Sequence, residues 1–324
     1  MKIVIPGGSG QVGTILARAF HAGGHEVVVL SRRPEDRPWR VVRWDGAALG
    51  MWQREIDGSD VVINLAGRSV NCRYTTANRR EILQSRVLST RVVGRAIAHA
   101  VTPPKVWLQA STATIYAHRY DAPNDEATGI LGGAERDAPE TWRFSIDVAM
   151  AWEKALDEVA TPRTRKVKMR TAMVMSPDAG GIFATLLMLV RRGLGGSAGD
   201  GRQYVSWIHE IDFVRAVQFL IASDLEGPVN LSSPNPLPNR EFMATLRRAW
   251  GIPIGLPAAK WMLEIGAATV MRTETELVLK SRRVVPGRLL QEGLTFTYPA
   301  WADAAKELCA RARQTRIDRG DGRG

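Results

Sequence analysis

Gly7, Gly10 and Gly13 stand in the segment KIVIPGGSGQVGTILARAF. Three glycines at that spacing let main chain approach a phosphate. The first permits a turn that a Cβ would block. The second leaves room for a diphosphate against the backbone, and the third lets a helix pack on a strand. The flanking residues supply both elements. Residues 2–6 are an apolar run that reads as a strand, and Val12, Ile15, Leu16, Ala19 and Phe20 recur with a helical period. The helix N-terminus then offers unpaired N–H groups and partial positive charge to an anion. An ordinary glycine loop would lack this context. The positions expected to face the phosphates are Gly7, Ser9, Gly10, Gln11, Val12 and Gly13.

The next apolar run, EVVVL at residues 26–30, is followed by Ser31, Arg32 and Arg33. A site for NAD places an acidic residue here, where it accepts hydrogen bonds from the ribose hydroxyls. Two guanidinium groups instead suit a 2′-phosphate, which they can hold in bidentate fashion, the alternative being a solvated arginine pair. NADP is therefore the expected cofactor; Glu35 and Asp36 keep NAD as the second candidate. Leu65, Ala66 and Gly67 close another apolar run. Their small side chains let a ribose and diphosphate pass close to backbone, the alternative being a plain turn.

These residues need a sheet to hold them. Segments at residues 26–30, 39–44, 60–65, 105–110 and 166–175 read as strands, and residues 76–101 and 141–159 as helices. Leu83, Val87, Gly94, Ile97 and Val101 share one face of the first of these helices, which Pro103 and Pro104 stop. Near-continuous apolar strands alternating with helices predict an α/β fold with a doubly wound parallel sheet. Its ligand crevice lies at the carboxyl ends of the strands. Beyond Ser176 glycines break the pattern. The expected organisation is a nucleotide-binding domain at residues 1–175, rejoined at 207–233. A smaller C-terminal substrate lobe takes residues 176–206 and 234–308, and a flexible basic tail takes 309–324.

The 324 residues are 45% hydrophobic and 24% charged, an ordinary globular balance. No apolar run approaches the roughly 20 residues of a membrane span. Cys72 and Cys309 make no disulfide framework and no metal motif, and the five histidines have no ligand spacing. A cytoplasmic protein without a secretory leader is expected. The net charge of +11 sits largely in short arginine clusters and the closing residues. Aromatics do not interleave with them, which argues against nucleic acid as the partner. A small, anionic ligand accounts for the charge as well. The scattered tryptophans have the spacing of packing residues.

GGSGQVG, VINLAG, ASTATIY, SWIHEIDFVRAV, GPVNLSSP and SRRVVPGRLLQEGLTFTYP together resemble the extended short-chain dehydrogenase/reductase superfamily. Within it the chain is similar to "epimerase family" proteins with a C-terminal DUF1731 region, through about residue 306. The resemblance implies a Rossmann-type NAD(P)-binding sheet, a substrate lobe and, as in similar proteins, a homodimer. It implies that Asp45 accepts from the adenine amine, where the alternative is a helix N-cap. It places Ser111 and Thr112 where the superfamily's serine or threonine meets the reacting oxygen, the alternative being a strand-end cap.

The superfamily's Tyr-x-x-x-Lys pair is missing. In WRFSIDVAMAWEKALDEV, Ser145 takes the tyrosine position and Ala149 the lysine position, and Lys154 falls elsewhere on the helix. Tyr116 is a substitute hydrogen-bond donor, or else a packed loop aromatic. His209 and Asp212 are further candidates better read as structural. Arg86 stands about where the superfamily often has Asn, and either steers an anionic substrate or is solvated. Two functions remain: an NADP-dependent oxidoreductase or epimerase acting on a small carbonyl or hydroxyl compound, and a non-catalytic NADP(H)-sensing binding protein.

Overall fold

The computed structural model describes residues 1–135, 139–257 and 279–318. The chain divides into two compact units. The first comprises Met1–Ile115, Gly132–Thr171 and Val214–Val229, and the second Tyr116–Leu131, Ala172–Phe213 and Asn230–Gly324. The segment at residues 116–131, which the sequence assigned to the first domain, is thus grouped with the second unit.

The first unit is built on strands β1 (Lys2–Pro6), β2 (Glu26–Ser31), β3 (Arg40–Arg43), β4 (Val61–Asn64), β5 (Val106–Thr112) and β6 (Arg165–Thr171). With β10 (Gly227–Leu231) they form a seven-stranded sheet in the order β10-β6-β5-β4-β1-β2-β3. The registers of β1 with β2 and β4, β2 with β3, β4 with β5 and β5 with β6 are all parallel. Strand order reverses between β1 and β4, which is where an open α/β sheet binds its ligand. Helices α1 (Gln11–Ala22), α2 (Thr76–His99) and α3 (Glu140–Asp157) make the crossovers. Both faces of the sheet are covered, so Ile3, Val4, Ile5 and Val28 to Leu30 are buried almost completely. One core joins Val4, Val28, Val62 and Trp107 to Val92, Val93 and Ile97 of α2.

Three details depart from expectation. Helix α2 stops at His99, because Ala100 is extended, and Val101 lies beyond it, 81% exposed. The buried stripe is Ile82, Val92, Val93, Ala96 and Ile97. Strand β5 runs through Thr112, so Ser111 and Thr112 are part of the strand. The single strand expected at residues 166–175 is two: β6, and β7 (Met173–Met175), which pairs with β9 (Trp207–His209) in a separate two-stranded sheet.

The second unit also contains α4 (Ile182–Arg191), β8 (Tyr204–Val205), β11 (Leu237–Pro238), α6 (Asn239–Trp250), α7 (Gly287–Gln291) and α8 (Trp301–Asp318). Helix α5 (Glu210–Ala222) follows β9. Phe183, Trp207, Phe242, Leu246, Trp301 and Leu308 fill its core. Phe242 stacks on Trp301 at 4.0 Å between ring centres. Residues 309–318, expected to be a flexible tail, continue α8. Trp301, Ala304, Ala305, Leu308 and Cys309 form a helical stripe that is buried on this core. Residues 258–278 of the expected lobe and 319–324 of the expected tail lie outside the described residues. Among the described residues, no helix is long and apolar enough to cross a membrane.

Candidate cofactor and substrate site

The turn between β1 and α1 has the steric form its glycines predict. Gly7 has φ +74°, and a Cβ there would stand 2.5 Å from Ala66 Cα. A Cβ on Gly13 would stand 2.4 Å from Gly8 Cα, so the start of α1 lies directly on the turn. Gly10 differs, since a Cβ there would meet nothing within 4 Å. Gly10 is also the N-cap of α1, and no side chain caps the helix. Helix α1 thus begins beside open space at Gly10, with no side chain capping its first turn. Gln11 Nε2 is buried and hydrogen-bonds none of the described residues. An enclosed amide donor without an acceptor is costly. A bound oxyanion at this helix end would supply one, so the cradle fits a diphosphate.

Leu65 N–H donates to Pro6 O at 2.8 Å, which ties the end of β4 to the glycine turn. Asn64 Oδ1 receives Ala66 N–H at 3.1 Å, and Asn64 Nδ2 donates to Gln109 Oε1 at 2.9 Å. Leu65, Ala66 and Gly67 are held as a fixed edge beside Gly7.

At the end of β2, Ser31 Oγ donates to Arg33 O and receives Arg33 N–H, which fixes the turn carrying both arginines. Arg32 and Arg33 are exposed, and among the described residues no carboxylate pairs with either. Glu35, the residue that kept NAD open, pairs with Arg37 at 2.6 Å. Arg32 lines a cleft of about 430 Å³ with Arg43, Trp44, Asp45 and Ala48. Asp45 accepts the N–H groups of Ala47 and Ala48 at 2.9 and 3.0 Å. Those two bonds hold its carboxyl below the usual range. Its carboxylate is therefore used as a turn cap within the cleft wall.

Ser111 and Thr112 point different ways, as neighbours on a strand must. Ser111 is 6% exposed, and its hydroxyl donates to Glu153 Oε1 at 2.7 Å. Glu153 is itself buried and gripped by Arg170 through Nε and Nη2, both at 2.8 Å. The Ser111 proton is thereby committed to a carboxylate inside the protein. Thr112 is partly exposed, and its Oγ1 receives Thr114 N–H at 3.1 Å. Among the described residues no acceptor takes the Thr112 hydroxyl proton. Glu153 and Arg170 were not singled out in the sequence; the signal was an arginine in the otherwise buried end of β6.

Tyr116 is 2% exposed, and its hydroxyl donates to Asn230 Oδ1 at 2.9 Å, the geometry of a packed loop aromatic. Asp212 accepts the N–H groups of Thr297 and Tyr298 at 2.7 and 2.8 Å. His209 is fully buried. Its Nδ1 accepts Ile211 N–H at 3.1 Å, so the proton resides on Nε2 and faces Glu307 Oε2 at 2.9 Å. Burial lowers the imidazole pKa. The close approach to Glu307 is accordingly a hydrogen bond from a neutral ring.

On α3, Ala149 is fully buried. Lys154 is an exposed neighbour of Glu158. Ser145 Oγ lies 3.4 Å from the hydroxyl of Tyr74. Arg86, for which solvation was one alternative, is only partly exposed and is held by the protein. Its guanidinium carbon lies 4.9 Å above the Trp152 ring, and Nη1 donates to Arg68 O and Ile82 O, each at 3.0 Å. Among the described residues no group of three or more histidine, cysteine or acidic side chains is placed to hold a metal.

The model of the NAD dependent epimerase/dehydratase family matches residues 3–231, and that of a domain of unknown function, DUF1731, matches residues 258–308. The human epimerase family protein SDR39U1 is 29% identical over 314 residues, covering 96% of this chain and all of that protein. The epimerase family protein YfhF of Bacillus subtilis (strain 168) is 30% identical over 316 residues, covering 96% of this chain and 98% of that one. A crystal structure of human SDR39U1 (isoform 2) with NADPH superposes with a TM-score of 0.83 at 28% identity, over 96% of this chain and 99% of that chain. With the strand order, the glycine turn and a family match over most of its length, this chain belongs to the NAD dependent epimerase/dehydratase family.

Proposed function

We propose that this chain binds NADP(H) and acts as an oxidoreductase or epimerase on a small carbonyl or hydroxyl compound. The observation that carries the reading is the opening of α1. There Gly10 presents an uncapped helix end to open space, and Gln11 holds a buried donor without a partner. Gly7, Ser9, Gly10, Gln11, Val12 and Gly13 would surround the diphosphate, and Leu65, Ala66 and Gly67 the adjoining ribose. Arg32 and Arg33, without acidic partners among the described residues, would take the 2′-phosphate, and Asp45 would border the adenine. The relative that was crystallised with NADPH supports this choice. The bound nicotinamide would supply hydride chemistry, and the protein its position and polarity. Of the strand-end hydroxyls, Thr112 is the one free to donate to a substrate oxygen, with Ser111 holding the strand against Glu153.

Calorimetry with NADP⁺ and NAD⁺ tests the cofactor reading. NADP⁺ binds more tightly to the parent chain, and Arg32→Glu reverses the order at a cost of about 2–4 kcal/mol, one or two charge-assisted contacts. Equal affinity for both nucleotides in the parent chain removes the role of the arginines. Turnover is tested by NADPH consumption against a panel of carbonyl compounds.

One observation favours a second reading, a non-catalytic NADP(H) sensor: Ser145 and Ala149 stand where the superfamily's proton-transfer pair would be. A stable partner recovered with the NADP-loaded chain, and no turnover on the panel, selects it.

A further inference from the structure

A guanidinium held out of water normally has a carboxylate beside it. Three other arginines on or beside α2 and α3 follow this rule: Arg68 pairs with Glu81, Arg79 with Glu140, and Arg170 with Glu153. Arg86 does not. Among the described residues no carboxylate lies within ion-pair distance of it. Burial pushes its pKa down to about 10, opposed only by the neighbouring Tyr74 and Cys72 side chains. The group is nonetheless fixed in place. One edge is pinned, through Nη1, to the carbonyls of Arg68 and Ile82. One face lies over Trp152. Its carbon would be 3.2 Å from a Cβ on Gly67, so it abuts the residues that end β4.

The remaining edge, Nε and Nη2, hydrogen-bonds no described residue, and neither atom is among the enclosed donors that lack a partner. That edge is therefore not enclosed, and the guanidinium that carries it lies against Gly67, just beyond the carboxyl end of β4 and the strand-order reversal. A planar, pre-aimed pair of N–H donors matches two oxygens of a carboxylate or phosphate.

We propose that Arg86 is an oxyanion receptor, whose Nε–Nη2 edge takes a carboxylate or phosphate group of the bound small molecule. The inference needs only that ligands bind at this end of the sheet; it deepens the proposed function by making an oxyanion part of what the site recognises. The oxyanion has two possible carriers, the cofactor diphosphate and an acidic substrate.

The test uses the full chain with Arg86→Gln and Arg86→Lys, probed with inorganic phosphate, oxalate, NADP⁺ and adenosine 2′-monophosphate. Without added anion, Arg86→Gln melts at or above the parent temperature, because it removes an uncompensated cation. Phosphate and oxalate raise the parent's melting temperature more than that of Arg86→Gln, with Arg86→Lys between them. If the cofactor carries the oxyanion, Arg86→Gln weakens NADP⁺ by about tenfold or more and leaves adenosine 2′-monophosphate, which has no 5′-phosphate, unchanged. If the substrate carries it, NADP⁺ affinity is unchanged, and oxalate binds the parent–NADP⁺ complex about tenfold more tightly than the variant complex. The proposal is overturned if Arg86→Gln responds to every anion as the parent does, or if it melts lower with the anion response intact, the mark of a purely structural cation. A parent chain that ignores NADP⁺ but is stabilised by phosphate through Arg86 would remove the cofactor reading and leave this one standing.

Discussion

At the scale of single residues, the two adjacent hydroxyls on β5 divide their work by strand geometry. Ser111 faces inward to a carboxylate already doubly bonded by Arg170. Thr112, one residue on, faces the other way and is partly exposed. Substitution separates them. Ser111→Ala removes a hydrogen bond to a buried charge and costs about 1.5–3 kcal/mol in denaturant unfolding. Thr112→Ala changes stability by less than about 1 kcal/mol but lowers any turnover, because the donor to the substrate oxygen is lost. A Thr112→Ala variant with parental turnover would reassign that donor. The same geometry accounts for Tyr116: a phenol whose proton is bonded to Asn230 is a packing residue first.

At the scale of elements, the glycine turn makes two predictions of opposite kind. Gly13→Ala forces a Cβ to within 2.4 Å of Gly8 backbone, so α1 must shift off the turn. Folding stability then falls by several kcal/mol, on the order of an overpacked core, and unfolding curves check it. Gly10→Ala meets no atom of the chain. It costs about 0.5–1 kcal/mol at an N-cap, while its methyl group occupies the space assigned to a diphosphate. NADP⁺ affinity should drop by about tenfold or more with the fold intact, as calorimetry beside a melting curve would reveal. If Gly10→Ala binds NADP⁺ normally, the phosphates lie elsewhere.

At the scale of the whole molecule, pH acts through the buried histidine before it acts through the carboxylates. His209 has a folded pKa below its ordinary 6.5, so the unfolded chain binds the extra proton more readily. The histidine's contribution is then level above about pH 6.5 and falls as pH drops below it, by at most about 1.4 kcal/mol per pH unit. Asp45 and Asp125 are lowered by backbone N–H bonds. Their contribution is present above the ordinary carboxylate range and is lost only at more acid pH. Denaturant unfolding at pH 8 and pH 5.5 measures the histidine effect. His209→Gln, which retains a donor for Glu307, should flatten the difference; an unchanged difference would assign the acid sensitivity to other groups.

The α/β class, the parallel sheet and the phosphate-binding turn were legible in the residues because each rests on local spacing. Glycines set where backbone can approach backbone, and apolar runs set which strands are buried on both faces. The arginine pair after β2 was legible for the same reason, since one short strand fixes its place. Only the tertiary structure decided the chemistry of the remaining side chains. Whether Ser111 or Thr112 keeps its proton depends on Glu153, 42 residues away. The state of Arg86 depends on carbonyls and a ring brought to it by other segments, and on the acid that none of them supplies. Residues 309–318 read as a charged tail until a core was present to receive Cys309. Spacing along the chain specifies elements; the partner of a buried polar group is specified only when distant segments meet.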